Sequence, residues 1–288
     1  MMKTTTQKTK RVQSKARKLL FGTFLGLLFT SYPSEVTYAS GSSDAVTGRY
    51  TVPLSSLIPA KVQRAIAARK EGTLTEQESL PTGLPDSVDL RSRDTSVKRQ
   101  PGPYCSTFGL LSAMENLLGG KTDLSWRHGW SKYRKYSSEA ALSAFSQSGV
   151  VETVYWPDDR KKGVRGYKDQ EWYQLTQFTY LEDSIPKTLQ ALDQGHPVYL
   201  ALSTPAELYE CNETVSPTTA LLPNSGHAIA IVGYRLDATE GAAGGHFLIK
   251  NSWGEQCGDR GYQWIPFNFC RRSDAYCMMW DIAGVAVQ

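Results

Sequence analysis

Between Cys105 and Leu118, apolar residues recur at three- and four-residue steps: Phe108, Leu111, Ala113, Met114, Leu117 and Leu118. That is the period of one buried helical face. Gly119-Gly120 closes it, as glycine does just past a helix end. The same reading predicts helices over residues 124–136, 139–147 and 185–194, and a shorter amphipathic one over 58–70. Gly149-Val150-Val151 ends the segment at 139–147, and a loop rich in Trp, Asp, Arg, Lys and Gly follows as far as Lys168. After Pro197 the pattern changes to short apolar runs at 198–202, 226–234, 247–250, 261–265 and 282–287, with turn-forming residues between them. Runs of that length and composition read as strands. The fold class is therefore α+β, with a helical lobe at about 96–184 and a β lobe at about 185–288.

Two of the strands carry chemistry. Gly226-His227-Ala228 places an imidazole at the mouth of one, and Lys250-Asn251-Ser252-Trp253-Gly254 places an amide at the end of the next. Adjacent strands so arranged can bring the two side chains into hydrogen-bond contact. A nucleophile must then come from elsewhere. Of five cysteines, only Cys105 lies upstream in a segment that reads as a loop, 99–104, opening into a helix. A thiol there faces unpaired backbone N–H groups and the positive end of the helix dipole, which favour thiolate, the reactive form.

These motifs resemble those of papain-like cysteine peptidases. Leu84-Pro85-Asp86-Ser87-Val88-Asp89 resembles the start of the family's mature domain, Gln100 and Cys105 its oxyanion amide and nucleophile, and Asp123-Leu124-Ser125 the start of its second helix. Gly226-His227-Ala228, Asn251-Ser252-Trp253-Gly254 and Gly258-Asp259-Arg260-Gly261-Tyr262 resemble its His, Asn and glycine-rich motifs. Cys105 precedes His227 by 122 residues and Asn251 by 146, close to the spacing of about 130–150 for this layout. The resemblance covers about 84–288. It implies a two-lobe fold, the helical lobe carrying Cys105 and an antiparallel, barrel-like β lobe carrying His227 and Asn251, with the cleft between them.

The same resemblance implies a mechanism. Cys105 attacks a peptide carbonyl, and His227 holds the thiol proton and then gives it to the leaving amine. Asn251 orients the imidazole, Gln100 and the Cys105 N–H receive the oxyanion, and Trp253 covers the Asn–His bond. Water hydrolyses the thioester, and neither metal nor organic cofactor takes part. The chain departs from the family between Gln100 and Cys105. That loop is one residue short, Pro103-Tyr104 replaces a glycine, and Ser106 stands where the family has Trp. An ungapped alignment would make Ser106 the nucleophile; Phe108, core-facing three residues after Cys105, argues for Cys105. The altered loop keeps a second reading open, an impaired homologue that binds peptides or a protein in the same cleft. Acyl transfer that makes an amide is a third. His128 and His196 match no ligand spacing and receive no role, and His246, at a strand start after Gly244-Gly245, reads as a turn-adjacent structural residue.

The N-terminus changes the charge picture. Seven Lys/Arg precede an apolar run at 19–29, small residues follow at 39–41, and no acidic residue occurs before Glu35. This is the pattern of a signal peptide over 1–40, and its long basic stretch points to a bacterial source. The chain is formally +4, but residues 40–288 hold 25 basic and 27 acidic residues. The basic excess thus belongs to the leader and lends no support to nucleic-acid binding. Expected partners are protein or peptide substrates, with no membrane contact once the leader is removed, and the expected location is secreted or cell-envelope. Residues 41–83 stand as an intramolecular propeptide or a linker. In an oxidising compartment the four cysteines other than Cys105 can form two disulfides. Cys270 with Cys277, leaving Cys211 with Cys257, is one of three pairings.

Overall fold

Three serines start helices in this protein. Ser125, Ser137 and Ser184 each accept, through the side-chain oxygen, the backbone N–H three residues on, satisfying a donor that the first helical turn leaves unpaired. The structure is a computed structural model that describes residues 49–73, 80–237, 239 and 244–288. The leader pattern at 1–40 lies outside them.

In chain order the elements are β1 (Val52–Pro53), α1 (Leu54–Leu57), α2 (Ala60–Thr73), β2 (Ser87–Asp89), α3 (Cys105–Leu117), α4 (Trp126–Tyr133) and α5 (Ser138–Ser148). There follow β3 (Tyr173–Tyr180), α6 (Ile185–Asp193), β4 (Val198–Pro205), α7 (Ala206–Tyr209), β5 (Leu221–Leu236), β6 (Gly245–Lys250), β7 (Tyr262–Pro266), α8 (Phe267–Arg271) and β8 (Cys277–Val287). The sheet runs β3-β8-β4-β5-β6-β7, with β1 and β2 added along β5. All of these strand pairings are antiparallel.

Two cores lie on the two faces of this sheet. Successive side chains of a strand point to opposite faces. Accordingly Tyr199 and Ala201 of β4 join Ala228 and Ala230 of β5 in the core under α3, with Phe108, Leu111 and Met114. Val198, Leu200, Leu202, Ile229 and Ile231 join the other core, with Leu189, Phe247, Ile265 and Trp253. This double burial is why β4 and β5 read as continuous apolar runs.

The structure departs from the sequence reading in three places. Residues 173–180, inside the stretch expected to be helical, form strand β3 paired along β8. It is an edge strand with Thr176, Gln177, Phe178 and Thr179 exposed, so the apolar alternation that marks a half-buried strand is missing. The helix expected to reach residue 136 stops at Tyr133, because Arg134 takes a left-handed conformation (φ 49°). Strand β8 begins at Cys277 and not near 282, and Cys277, Met278 and Met279 pair with β4. The disulfides are Cys211–Cys257 and Cys270–Cys277, and Cys105 is a free thiol.

Candidate active site

Cys105 is the first residue of α3, and Gly109, one turn on, sets how near that helix comes to β5. A methyl group at Gly109 would stand 2.8 Å from the Ile229 nitrogen and 2.9 Å from the Ala228 carbonyl carbon. Backbone cannot yield at that distance, so glycine is required. The alanines of β5 on the α3 side serve the same close approach. At the helix start this contact puts the Cys105 sulfur on the backbone N–H of Ala228, the residue after His227.

His227 is fully buried, and its Nε2 lies 2.9 Å from Oδ1 of Asn251. That oxygen also accepts the Ser252 N–H at 2.7 Å. An amide oxygen can only accept, so Nε2 carries the proton and Nδ1 is left as the basic nitrogen. Nδ1 is buried and has no hydrogen-bond partner among the described residues. The Trp253 indole lies flat on the imidazole, with ring centroids 4.2 Å apart and planes at 21°.

Gln100 joins this set through Ser252. Its backbone N–H donates to the Ser252 carbonyl at 2.8 Å, and its Oε1 accepts from Ser252 Oγ at 2.6 Å. Its Nε2 donates to Gly102 O at 2.8 Å, inside the short loop, and to Tyr50 O at 3.1 Å. The loop before it is pinned by buried charge. Lys98 Nζ lies 2.5 Å from Glu115 of α3, and Lys250 Nζ donates to Thr95 O at 2.7 Å.

The Tyr50 carbonyl belongs to a strap, residues 49–58, laid against these side chains. It accepts from the Trp253 indole N–H as well, at 3.2 Å. Val52 and Pro53 pair with Gly226 and Ser225 on the side of β5 away from β4, directly before His227. Leu54 and Leu57 pack over Gly226, where an added methyl group would lie 3.2 Å from Leu54 Cα and 3.1 Å from Leu57 Cδ2. Val52, Leu57, Ile58 and Ile66 are all fully buried.

Burial opposes the charge state expected of a thiol at a helix start. Loss of water pushes the Cys105 thiol up to about 12, although the N–H groups of Ala228, Ser106 and Cys105 pull it the other way. Burial likewise takes His227 down to about 4 against the raising effect of Asn251. Both shifts favour the neutral thiol and the neutral imidazole over the ion pair. The local dipole is a weaker effect than full desolvation of a charge.

A pH dependence of stability follows. His128 is also buried and is lowered to about 3, by burial and then by Lys132. Both histidines bind protons in the unfolded chain near pH 6.5 but in the folded chain only near 3–4. Stability is thus fully present above about pH 6.5 and falls as pH drops toward 4, by on the order of several kcal/mol. Urea midpoints of the full chain should decline steadily between pH 7 and 4.5. A midpoint flat across that window would rule the account out.

The five residues singled out from the sequence divide as follows. His227, Asn251, Trp253 and Gln100 form one bonded and stacked set, and Cys105 reaches it at Ala228. Ser252 and Gln263 were given no role from the sequence, and the strap lies within 41–83, read there as an intramolecular propeptide or a linker. The signal for Gln263 was a polar residue in phase with Ile265 on the buried face of its strand; Ser252 and the Tyr50 carbonyl carry none. Among the described residues no group of three or more His, Cys, Asp or Glu is placed to hold a metal ion, and no helix is long and apolar enough to cross a membrane.

A family model described as papain family cysteine protease matches residues 135–283. The match includes His227 and Asn251 and leaves out Gln100 and Cys105. Rat (Rattus norvegicus) cathepsin Q is 27% identical over 202 residues, covering 63% of this chain and 58% of its own length. The chain thus spans under two thirds of that relative. The fold is similar to that of xylellain, a cysteine protease from Xylella fastidiosa (TM-score 0.55, 19% identity, 77% of this chain and 90% of that one). Digestive procathepsin L 3 of the Tenebrio molitor larval midgut is also similar (TM-score 0.56, 20% identity, 77% and 79%). So is bromelain from Ananas comosus, solved with the E64 inhibitor (TM-score 0.53, 17% identity, 70% and 100%).

Proposed function

The chain belongs to the papain family of cysteine proteases, and from that premise we propose that it is a thiol endopeptidase acting through Cys105, His227 and Asn251, made as a self-blocked precursor. The observation that carries this reading is the His227–Asn251 bond under Trp253, with Nδ1 of His227 left unpartnered beside the strand position that meets Cys105. Once the strap leaves, Nδ1 takes the Cys105 proton and the thiolate adds to a peptide carbonyl. The oxyanion receives the Cys105 N–H and the Gln100 Nε2–H that Tyr50 O had occupied. The imidazolium protonates the leaving amine, and water, deprotonated by His227, cleaves the thioester.

Residues 49–58 are the blocking part of a propeptide. The strap's carbonyl on Gln100 and its strand pairing at Gly226 support this. Two disulfides support an oxidising compartment, and with the leader pattern at 1–40 they support a secreted or cell-envelope location.

The full chain, cut within the stretch 81–86 by limited proteolysis, should cleave a panel of generic peptides, and a thiol-alkylating reagent should abolish that cleavage. Turnover that alkylation leaves unaffected would sink the proposal. Alkylation of Cys105 without any turnover would instead favour a peptide-binding homologue.

A further inference from the structure

A third amide stands behind the His–Asn pair. Gln263, on β7, is wholly buried. Its Nε2 donates to the backbone carbonyls of Asn212 at 2.7 Å and Leu208 at 3.2 Å. Carbonyls only accept, so these two decide which end of the Gln263 amide is nitrogen. Oε1 is thereby turned to Asn251, whose Nδ2 donates to it at 2.7 Å. That bond in turn decides which end of Asn251 is nitrogen, and leaves Oδ1 for His227 Nε2. The polarity therefore starts on the backbone of residues 208–212 and ends at the imidazole. Cys211, within that segment, is tied by its disulfide to Cys257, so the two carbonyls sit on a stapled part of the chain.

We infer that Gln263 is a positioning residue that holds Asn251 with its oxygen toward His227, and so keeps the imidazole in the tautomer whose Nδ1 can take the thiol proton. The inference rests on the reading of Cys105, His227 and Asn251 as the reacting set. Ser252 N–H favours the same Asn251 orientation from the other side, so losing Gln263 loosens the arrangement without abolishing it. Misplacement of a reacting group by about 1 Å costs on the order of 100-fold, which bounds the effect. The Asn251 bond raises the His227 pKa, so slackening it lets the imidazolium lose its proton at lower pH.

The test uses the full chain cut within 81–86, with active molecules counted by one-to-one alkylation of Cys105. Gln263→Met is expected to lower kcat about 10- to 100-fold, to leave KM within about threefold, and to move the alkaline limb of kcat/KM to lower pH. In an Asn251→Ala background the same change should have no further effect, because the residue through which it acts is gone. Burial against two carbonyls favours the protonated carboxyl in Gln263→Glu, which donates its one O–H to a carbonyl and keeps an oxygen for Asn251 Nδ2, so this variant should recover most of the kcat that Gln263→Met loses. An equal loss with and without the Asn251 side chain overturns the inference. So does a Gln263→Met enzyme with normal kcat and an unmoved limb. If Gln263→Met does not fold, Gln263→Leu takes its place in the comparison, and a loss equal with and without the Asn251 side chain overturns the inference. Turnover that survives Cys105→Ala with Gln263 intact would instead sink the underlying assignment of the reacting set.

Discussion

Cys105→Ala in the cut enzyme should lower kcat/KM by about 10⁴-fold or more, whereas Ser106→Ala should leave it within about threefold. Removing a nucleophile from a constellation that acts as a unit forfeits nearly all the acceleration the set provides. Ser106 tests the alternative alignment directly. Its hydroxyl is 3.1 Å from Tyr133 OH, and Thr107 lies 2.5 Å from that same oxygen. Ser106 thus holds a structural bond that Thr107 partly covers, and its loss should cost about 1 kcal/mol of stability. The measurement is steady-state kinetics on one peptide, with folded fraction checked by thermal melting. A Cys105→Ala enzyme within tenfold of the parent would remove the nucleophile assigned here. A dead Ser106→Ala enzyme with an unchanged melting curve would transfer the role to its neighbour.

The second large effect is release from the strap. Cutting within 81–86 should raise both peptide turnover and the rate of Cys105 alkylation by about 100-fold or more. Val52, Leu57, Ile58 and Ile66 are fully buried, and at about 1.5–3 kcal/mol each they contribute roughly 6–12 kcal/mol before the cost of ordering the segment. While the strap is tethered, its effective concentration is of millimolar order. After the cut, at about 1 µM protein, that concentration falls roughly 10³-fold. Activity should therefore rise further on dilution of the cut sample. Water readmitted to the cleft should also move the thiol and the imidazole back toward the ion pair, since burial is the largest cause of both shifts. Val52→Asp makes the same test without protease. A buried, unpaired carboxylate costs several kcal/mol, so the uncut variant should already show measurable turnover. Equal activity of the uncut and cut parent proteins would show that residues 49–58 do not block the site.

The helices of the first half were legible because each has a periodic apolar face and a stop or start signal, as Gly149 (φ 64°) ends α5 and Ser184 begins α6. Their ends were less so: Arg134 turns left-handed (φ 49°), and nothing in its identity announces it. Edge strand β3 was missed because four consecutive residues, Thr176 to Thr179, are exposed, so no apolar alternation marks it. The disulfides show the same division. The sequence supplied four candidates and three pairings, and the chain's path chose Cys211 with Cys257 at a Cα separation of 4.7 Å and Cys270 with Cys277 at 5.5 Å.

By itself the sequence determined the class of chemistry and its parts: a thiol at a helix start, an imidazole and an amide at the ends of neighbouring strands, and a tryptophan after the amide. These are local, because residue type and strand or helix periodicity set them within a few positions. Only the tertiary structure decided how the parts are oriented and charged. Gly109 brings α3 onto β5, Ser252 turns the Gln100 amide, Gln263 turns Asn251, and the Tyr50 carbonyl covers the donors. Each of these is a hydrogen bond or close contact between residues distant in the chain. Their directions depend on which groups burial has left without water.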